Sequence, residues 1–263
     1  MKLVTFASGS GGNCALVREG DGGVLIDAGI SLRRIKAGLA RQGLTLGDLD
    51  GILITHEHGD PVAALSMLLK YSDLTVYATR TVANRLLRSV LGLEDRIAVV
   101  GKEEPFSLHH LRITPFSTSH DTDESVGYRL EGENILGFCT DTGCVTPSML
   151  THLTGCGTVL LEANHDLERL RYGPYPVYLK RRILSDRGHL SNDACGELCC
   201  ALAERGTARI ALGHLSRENN TPRLARDTVR AALDAAGHTA VELFVAPADG
   251  DLELEILPCC VSN

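Results

Sequence analysis

The stretch Ile52-Leu53-Ile54-Thr55-His56-Glu57-His58-Gly59-Asp60 begins as an apolar run typical of a buried β-strand and ends in two histidines and an aspartate. Side chains two residues apart in an extended segment point the same way, so His56 and His58 can bind one ion. Imidazole nitrogen and carboxylate oxygen suit Zn, Mn or Fe. The stretch therefore predicts a divalent metal site at the end of a strand, with Asp60 facing the same pocket.

A structural interpretation of Asp60 is also open. Aspartate is a favoured helix N-cap and proline is favoured at the first helical position, so Asp60 and Pro61 can begin a helix without any metal. The two roles are compatible. Two histidines and an aspartate at this spacing, directly after a strand, favour the metal site.

The His-x-His-x-Asp run resembles the signature of the metallo-β-lactamase-fold hydrolases, and three later motifs follow in the order of that superfamily. The resemblance implies the metal ligands His56, His58, Asp60, His120, Asp141 and His214. It makes His120 the third ligand of the first ion, Asp141 the bridge between two ions, and His214 a ligand of the second. We expect one or two divalent ions, Zn or Mn, with Fe as a further candidate.

Pro61 departs from the pattern of the superfamily, which usually has a histidine at this position. Proline offers no ligand atom, although its fixed φ is acceptable in the first turn of a helix. We therefore expect the second site to be the weaker one. The sequence leaves open whether His165, His189, His110 or solvent supplies the missing ligand.

The length and composition predict one compact domain spanning residues 1–263, since 263 residues with 44% apolar content can bury a large core. Periodicity alone predicts an α/β or α+β fold. The resemblance implies the four-layer αββα metallo-β-lactamase sandwich. We predict strands over 3–7, 14–18, 24–27, 75–78, 158–163, 209–212, 241–245 and 252–256, a strand-rich region over 108–140, and helices over 61–70, 79–91, 192–204 and 221–236. Leu32, Ile35 and Leu39 mark the apolar face of one further helix.

Three features predict a cytoplasmic protein without a membrane partner. No apolar stretch approaches the roughly 20 residues needed to span a bilayer, and the N-terminal apolar run is too short for a secretory signal. The nine cysteines contain no Cys-x-x-Cys pair. The sequence does not predict an oligomeric state.

Three further stretches, 7–13, 24–29 and 213–220, look like those of the YycJ/WalJ subfamily. This subfamily is regarded as DNA exonucleases that act from the 5′ end. The resemblance implies a nucleic acid substrate, with DNA favoured. It also implies that Asp27 orients a metal-binding imidazole without binding the metal itself.

The segment between Glu162 and His189 interleaves cations with tyrosines. Its candidate substrate-binding residues are Tyr172, Tyr175, Lys180, Arg181 and Arg182. Cations neutralise phosphates and aromatic rings stack on unpaired bases, as a channel for a strand end requires. The net charge of −7 argues against binding of duplex DNA over a broad surface of the protein. Local contacts must therefore dominate. The alternative is a solvated basic helix.

Glu162 and His189 resemble a pair in tRNase Z, in which a glutamate holds a histidine. A carboxylate bonded to imidazole fixes its tautomer and raises its pKa, which suits His189 to protonate a leaving oxygen. Alternatively, His189 is a metal ligand. In the predicted mechanism, Asp60 orients or deprotonates the attacking water.

The predicted function is a metal-dependent phosphodiester hydrolase, most specifically a DNA exonuclease acting from the 5′ end. One alternative is a small-molecule ester or cyclic-phosphodiester hydrolase of the same fold, which has no use for the Tyr/Arg segment. Another is a degenerate nucleic-acid-binding protein whose second metal site is impaired by Pro61.

Overall fold

The computed structural model describes residues 1–260, in which strands form two seven-stranded sheets. The first sheet contains β1 (Lys2–Ala7), β2 (Cys14–Glu19), β3 (Gly22–Ile26), β4 (Gly51–Leu53), β5 (Val76–Thr79), β6 (Ile97–Val100) and β14 (Leu252–Glu255). Its order is β14-β1-β2-β3-β4-β5-β6. Pairing is antiparallel from β14 to β3 and parallel from β3 to β6.

The second sheet repeats this arrangement. It contains β7 (Phe106–Leu108), β8 (Leu111–Ser117), β9 (Val126–Glu131), β10 (Ile135–Cys139), β11 (Thr158–Glu162), β12 (Arg209–Gly213) and β13 (Glu242–Val245). Its order is β13-β12-β11-β10-β9-β8-β7, antiparallel from β7 to β10 and parallel from β10 to β13. Both sheets are therefore mixed.

Helices cover the outer faces of the sheets. They are α1 (Leu32–Arg41), α2 (Gly59–Val62), α3 (Leu65–Lys70), α4 (Arg80–Ser89), α5 (Pro147–Leu153), α6 (Leu167–Tyr172), α7 (Val177–Ile183), α8 (Asn192–Ala203) and α9 (Pro222–Ala235), with a short 3₁₀ helix at Leu46–Asp48. Within residues 1–260, none of them combines the length and the apolar character needed to cross a bilayer.

The core consists of three apolar layers, because the central strands are buried on both faces. Along β2, Leu16 packs under the helices of the first sheet, whereas its neighbour Val17 packs between the two sheets. Leu161 of β11 packs under the helices of the second sheet, and Leu160 faces the layer between the sheets. This alternation with period two confirms the predicted αββα sandwich.

Hydroxyl caps and helical spacing explain the longer outer helices. Ser191 accepts a hydrogen bond from Ala194 N at 3.2 Å at the start of α8. Thr221 caps α9, whose buried residues Ala225, Val229 and Leu233 recur every four positions. Each helix thereby buries one stripe against the second sheet.

The predicted helix over 61–70 is wrong, because it is divided into α2 and α3. The N–H of Ala28 donates to Pro61 O at 2.6 Å, and the N–H of Ala64 donates to Ala28 O at 2.9 Å. These bonds to the segment after β3 divert two backbone groups from a continuous helix. The N-cap interpretation of Asp60 is wrong as well, since His58 is the N-cap residue and α2 begins at Gly59.

Short elements account for what the sequence patterns missed. The edge strand β6 and the helices α5, α6 and α7 were not among the predicted elements, and each has four to seven residues. Elements of this length present too few turns or alternations for a periodic signal.

Candidate metal centre and substrate cavity

The candidate metal ligands lie just beyond strand ends on one edge of the two sheets. His56, His58 and Asp60 follow β4 in the first sheet. His120 follows β8, Asp141 follows β10 and His214 follows β12, all in the second sheet. The two halves of the chain therefore contribute equally to one site.

The imidazoles of His56, His58 and His120 form a compact trio. Their ring centroids are 4.8 Å apart for His56 and His58, and 5.1 Å apart for the other two pairs. One ligand atom from each ring lies within 4.8 Å of the others. His56 Nε2 is buried and has no hydrogen-bond partner. A buried polar atom without a partner is costly, and a cation bound by the trio would satisfy it.

The segment before His56 fixes the tautomer of its ring. Thr55 Oγ1 lies 3.0 Å from His56 Nδ1 and bonds to both carboxylate oxygens of Asp27, and Thr55 N donates to Asp27 Oδ1 at 2.9 Å. The threonine hydroxyl donates to Asp27 and accepts from Nδ1–H, which leaves the lone pair of Nε2 for a metal. Asp27 thus reaches the imidazole through Thr55, a relay that the sequence did not predict.

His120 is oriented by the backbone. Its Nδ1 lies 3.0 Å from Gly188 O, so Nδ1–H donates to that carbonyl and Nε2 faces the centre. Arg187 Nε in turn donates to His120 O at 3.0 Å. The loop before α8 therefore holds the loop after β8 in place.

Asp141 lies between the trio and His214. Its Oδ1 is 3.2 Å from His214 Nε2 and 3.8 Å from His120 Nε2, while its buried Oδ2 has no partner. Asp141, His214 and Asp27 adopt positive φ angles of 59°, 53° and 61°. Asparagine, aspartate and histidine tolerate this left-handed region better than most residues, although each such residue still costs energy.

Asn13 is a functional candidate that sequence reasoning missed. Its Oδ1 accepts from Gly9 N at 3.0 Å, and His214 Nδ1 lies 3.2 Å from Oδ1 and 3.0 Å from Nδ2. Its Nδ2 donates to Asp60 Oδ2 at 3.1 Å. One amide therefore orients two candidate ligands of the second ion. The glycine-rich turn at 9–12 was the available signal, but it does not identify a long-range partner.

Pro61 adds no ligand atom. Of the histidines that could supply the missing ligand, His189 is the one that lies among candidate ligands of the second ion. Ligand atoms of Asp141, Glu162, His189 and His214 lie within 4.8 Å of one another, as do those of His56, Asp60 and Asp141. The other candidates lie elsewhere: His110 is in an exposed group with Asp21 and His109, and His165 belongs to neither group.

Hydrogen bonds distinguish Glu162 from the candidate ligands. Its Oε1 lies 2.7 Å from His189 Nδ1, and its Oε2 accepts from Thr142 N at 2.9 Å and Leu190 N at 3.3 Å. Both oxygens are satisfied, whereas His56 Nε2 and Asp141 Oδ2 are not. The unpartnered atoms fit a divalent ion, and Glu162 fits the predicted support of His189.

Burial sets the protonation of the centre. It lowers the pKa of His56 well below its usual range, and the neighbouring imidazoles add to this effect. Burial also raises the pKa of Asp141 to about 7, with a contribution from Glu162. Neutral imidazoles are ready to bind a metal, and a cation would reverse the penalty on the buried carboxylate.

A cavity of about 180 Å³ opens beside the centre and reaches the basic segment. Its lining includes His189 and Asp121, together with Tyr175, Leu179, Arg182 and Ile183 from the α6–α7 region. The cavity therefore joins the metal-binding edge to two of the predicted substrate-binding residues, Tyr175 and Arg182.

The other three predicted substrate-binding residues lie outside this lining. Lys180 Nζ donates to Arg171 O at 2.9 Å and Gly173 O at 2.7 Å, so it ties α7 to the end of α6. Arg181 is exposed, and Tyr172 is 77% exposed. The segment thus has a structural cation at Lys180 and freely accessible groups on its outer surface.

Comparisons with known proteins agree with this architecture. Residues 23–215 match the beta-lactamase superfamily domain. The chain is 36% identical over 243 residues to exodeoxyribonuclease YycJ of Bacillus anthracis, covering 91% of each protein. It is also 36% identical to exodeoxyribonuclease WalJ of Streptococcus pneumoniae, covering 87% of this chain and 86% of that one.

A solved structure shows the same fold. The metallo-beta-lactamase fold protein YhfI from Bacillus subtilis superposes with a TM-score of 0.73 at 16% identity, covering 96% of this chain and 99% of that one. With the His and Asp groups described above, these similarities define a metal-dependent hydrolase. The chain therefore belongs to the beta-lactamase superfamily and, within it, to the YycJ/WalJ family.

Proposed function

We propose that this protein is a DNA exonuclease that removes nucleotides from the 5′ end by metal-assisted hydrolysis of phosphodiester bonds. The observation that carries the proposal is the cavity, whose lining includes Tyr175, Arg182 and His189. A hydrolase for small esters alone would not need a stacking ring and a phosphate-binding cation there. The relatives called exodeoxyribonucleases support DNA as the substrate.

The candidate residues divide the hydrolysis into four tasks: holding the ions, activating the water, protonating the leaving oxygen and positioning the strand. His56, His58, His120, Asp60, Asp141 and His214 would hold one or two divalent ions. When bound, such ions supply Lewis-acid activation of water and of the phosphoryl oxygens. Asp60 orients the attacking water and takes its proton as the new P–O bond forms.

His189 protonates the departing 3′-oxygen as the old P–O bond breaks. Glu162 accepts from Nδ1–H at 2.7 Å, which directs Nε2 of His189 away from the carboxylate. Burial lowers the pKa of His189, and the carboxylates of Asp141, Asp60 and Asp121 oppose this shift. Burial outweighs these carboxylates, so the pKa of His189 is lowered and the increase expected from the sequence is wrong; the acid role rests on the geometry of the Glu162 hydrogen bond.

Arg182 and Tyr175 position the strand. Arg182 provides charge at the cavity and Tyr175 a ring for an unpaired base, while exposed Arg181 can meet the backbone farther out. Positioning of this kind is a major contribution to phosphoryl transfer. Lys180 contributes by holding the backbone between α6 and α7.

Two matched DNA duplexes test the function, one labelled at the 5′ end and the other at the 3′ end. With Mn or Zn present, we expect the 5′ label to be released first as a mononucleotide and the 3′-labelled strand to shorten progressively. Asp141→Ala, or omission of the metal, should abolish both signals. Release of the 3′ label first would overturn the direction.

The same assay separates the alternatives. Binding of DNA without cleavage in either metal would identify a degenerate binding protein. Turnover of a small phosphodiester that is unaffected by charge reversal at the exposed Arg181, without DNA cleavage, would identify a small-molecule hydrolase.

A further inference from the structure

Asp121 is a carboxylate beside the first metal site to which neither the superfamily pattern nor the sequence assigned a role. It directly follows His120 in the loop after β8. Its Oδ1 is buried and has no hydrogen-bond partner, as is also true of His56 Nε2 and Asp141 Oδ2. An unpaired buried carboxylate oxygen is costly unless something positively charged satisfies it.

The position of this oxygen fits coordination. Oδ1 lies 3.4 Å from His120 Nε2 and 3.8 Å from His58 Nε2. Metal–ligand bonds of about 2.0–2.2 Å place neighbouring donor atoms on one ion roughly 3–3.5 Å apart. Small adjustments of side chains would bring Oδ1 onto the ion held by the two imidazoles.

The rest of Asp121 is anchored by groups outside the metal centre. Its Oδ2 accepts from Arg182 Nε of α7. The flanking carbonyls of His120 and Thr122 both accept from the Arg187 guanidinium. Because one oxygen is held by Arg182, the free Oδ1 has a fixed direction toward the imidazoles, which is the preorganisation that a metal ligand requires.

We propose that Asp121 is an additional ligand of the first metal ion. With the three imidazoles and Asp141, this gives five protein donors. A site with so many donors favours ions that accept five or six ligands, such as Mn²⁺ or Fe²⁺, over Zn²⁺, which prefers four. The ion pair with Arg182 also connects this ligand directly to the candidate DNA-binding helix.

Metal binding without DNA tests the assignment, so its outcome is independent of the proposed nuclease activity. The metal-free protein is given one equivalent of Co²⁺, whose visible absorption bands intensify as the coordination number falls to four. Asp121→Asn keeps the shape of the side chain and a weak acceptor oxygen. We expect this variant to have stronger Co²⁺ bands and about 10–100-fold weaker Mn²⁺ binding.

Asp123→Asn is the matched control. Asp123 is two residues away in the same loop, 59% exposed and paired with Arg85. It should keep both the spectrum and the affinity of the unaltered protein. If Asp121→Asn behaves like Asp123→Asn, Asp121 is only a partner of Arg182. Intense four-coordinate bands in the unaltered protein would overturn the proposal without any variant.

Discussion

Glu162 Oε1 accepts a hydrogen bond from His189 Nδ1 at 2.7 Å, and this pair joins the end of β11 to the loop before α8. If His189 is the acid for the leaving oxygen, His189→Ala should lower kcat by about 10²–10⁴-fold. DNA binding should change little. Steady-state kinetics and an equilibrium binding assay in a non-cleaving metal check this, with His110→Ala as the exposed control. Equal losses of kcat and binding would exclude the acid role.

Asn13→Ala should weaken the second ion and leave the first in place. The amide orients both His214 and Asp60, and loss of such a supporting partner typically costs about 10–100-fold in metal affinity. Metal content after dialysis against a weak chelator measures the effect. Asn134→Ala, which removes a hydrogen bond to Ile256 O far along the chain, is the control. Loss of both ions from Asn13→Ala would point to general unfolding.

Pro61→His should strengthen the second site, because it restores an imidazole beside Asp60 in α2. We expect the second ion to be retained on the order of tenfold more tightly than in the unaltered protein. The same dialysis experiment measures retention, and Pro61→Ala shows the effect of losing the proline ring alone. Two equally retained ions in the unaltered protein would contradict the idea that Pro61 weakens this site.

Tyr175→Ala should raise the KM for DNA by roughly 5–150-fold, since stacking of a base on an aromatic ring contributes about 1–3 kcal/mol. Hydrolysis of a small phosphodiester should be nearly unchanged, because it has no base to stack. Tyr71→Ala removes a 53% exposed ring elsewhere and serves as the control. A similar loss for both substrates would place Tyr175 in the framework of the site.

His165 should make the protein less stable in mild acid. Its ring is buried, its nitrogens have no partner, and burial lowers its pKa to about 4. The unfolded chain therefore takes up a proton near pH 6.5 that the folded protein does not. Stability contributed by the neutral ring is present above pH 6.5 and is lost as the pH falls toward 4.

His165→Phe should remove this pH dependence. Between pH 7.5 and 5.5, linkage predicts that the folded protein loses about 1.3 kcal/mol through this histidine. Urea unfolding of both proteins at the two pH values measures the difference. The same slope in variant and unaltered protein would show that His165 does take up a proton when folded.

The convergence of the candidate metal ligands could be predicted from the sequence because they follow apolar strands, and strand ends on one sheet edge converge. Asn13, Thr55 and Asp121 could not be assigned in this way. Asn13 contacts a histidine 201 positions away, and the partner of Asp121 lies 61 positions away on α7. Such pairs depend on tertiary packing, which leaves no local pattern.

The helix prediction over 61–70 failed for a related reason. Local propensity favoured one helix, but Pro61 O and Ala64 N form their hydrogen bonds with the backbone of Ala28. Lys180 illustrates the same limit for function, since its charge suggested a phosphate contact and its ammonium group instead binds two carbonyls. Composition indicates which groups are available, and the fold decides which remain free.

The equal division of the ligands between the two sheets makes each bound ion a cross-link between the halves of the molecule. An ion that binds only the assembled centre stabilises it by about 2.7 kcal/mol at a hundredfold excess over its Kd. Chelation should therefore lower the stability of the assembled fold by a similar amount. In a cell short of metal, proteases would cleave the protein more readily, and the enzyme would also be inactive.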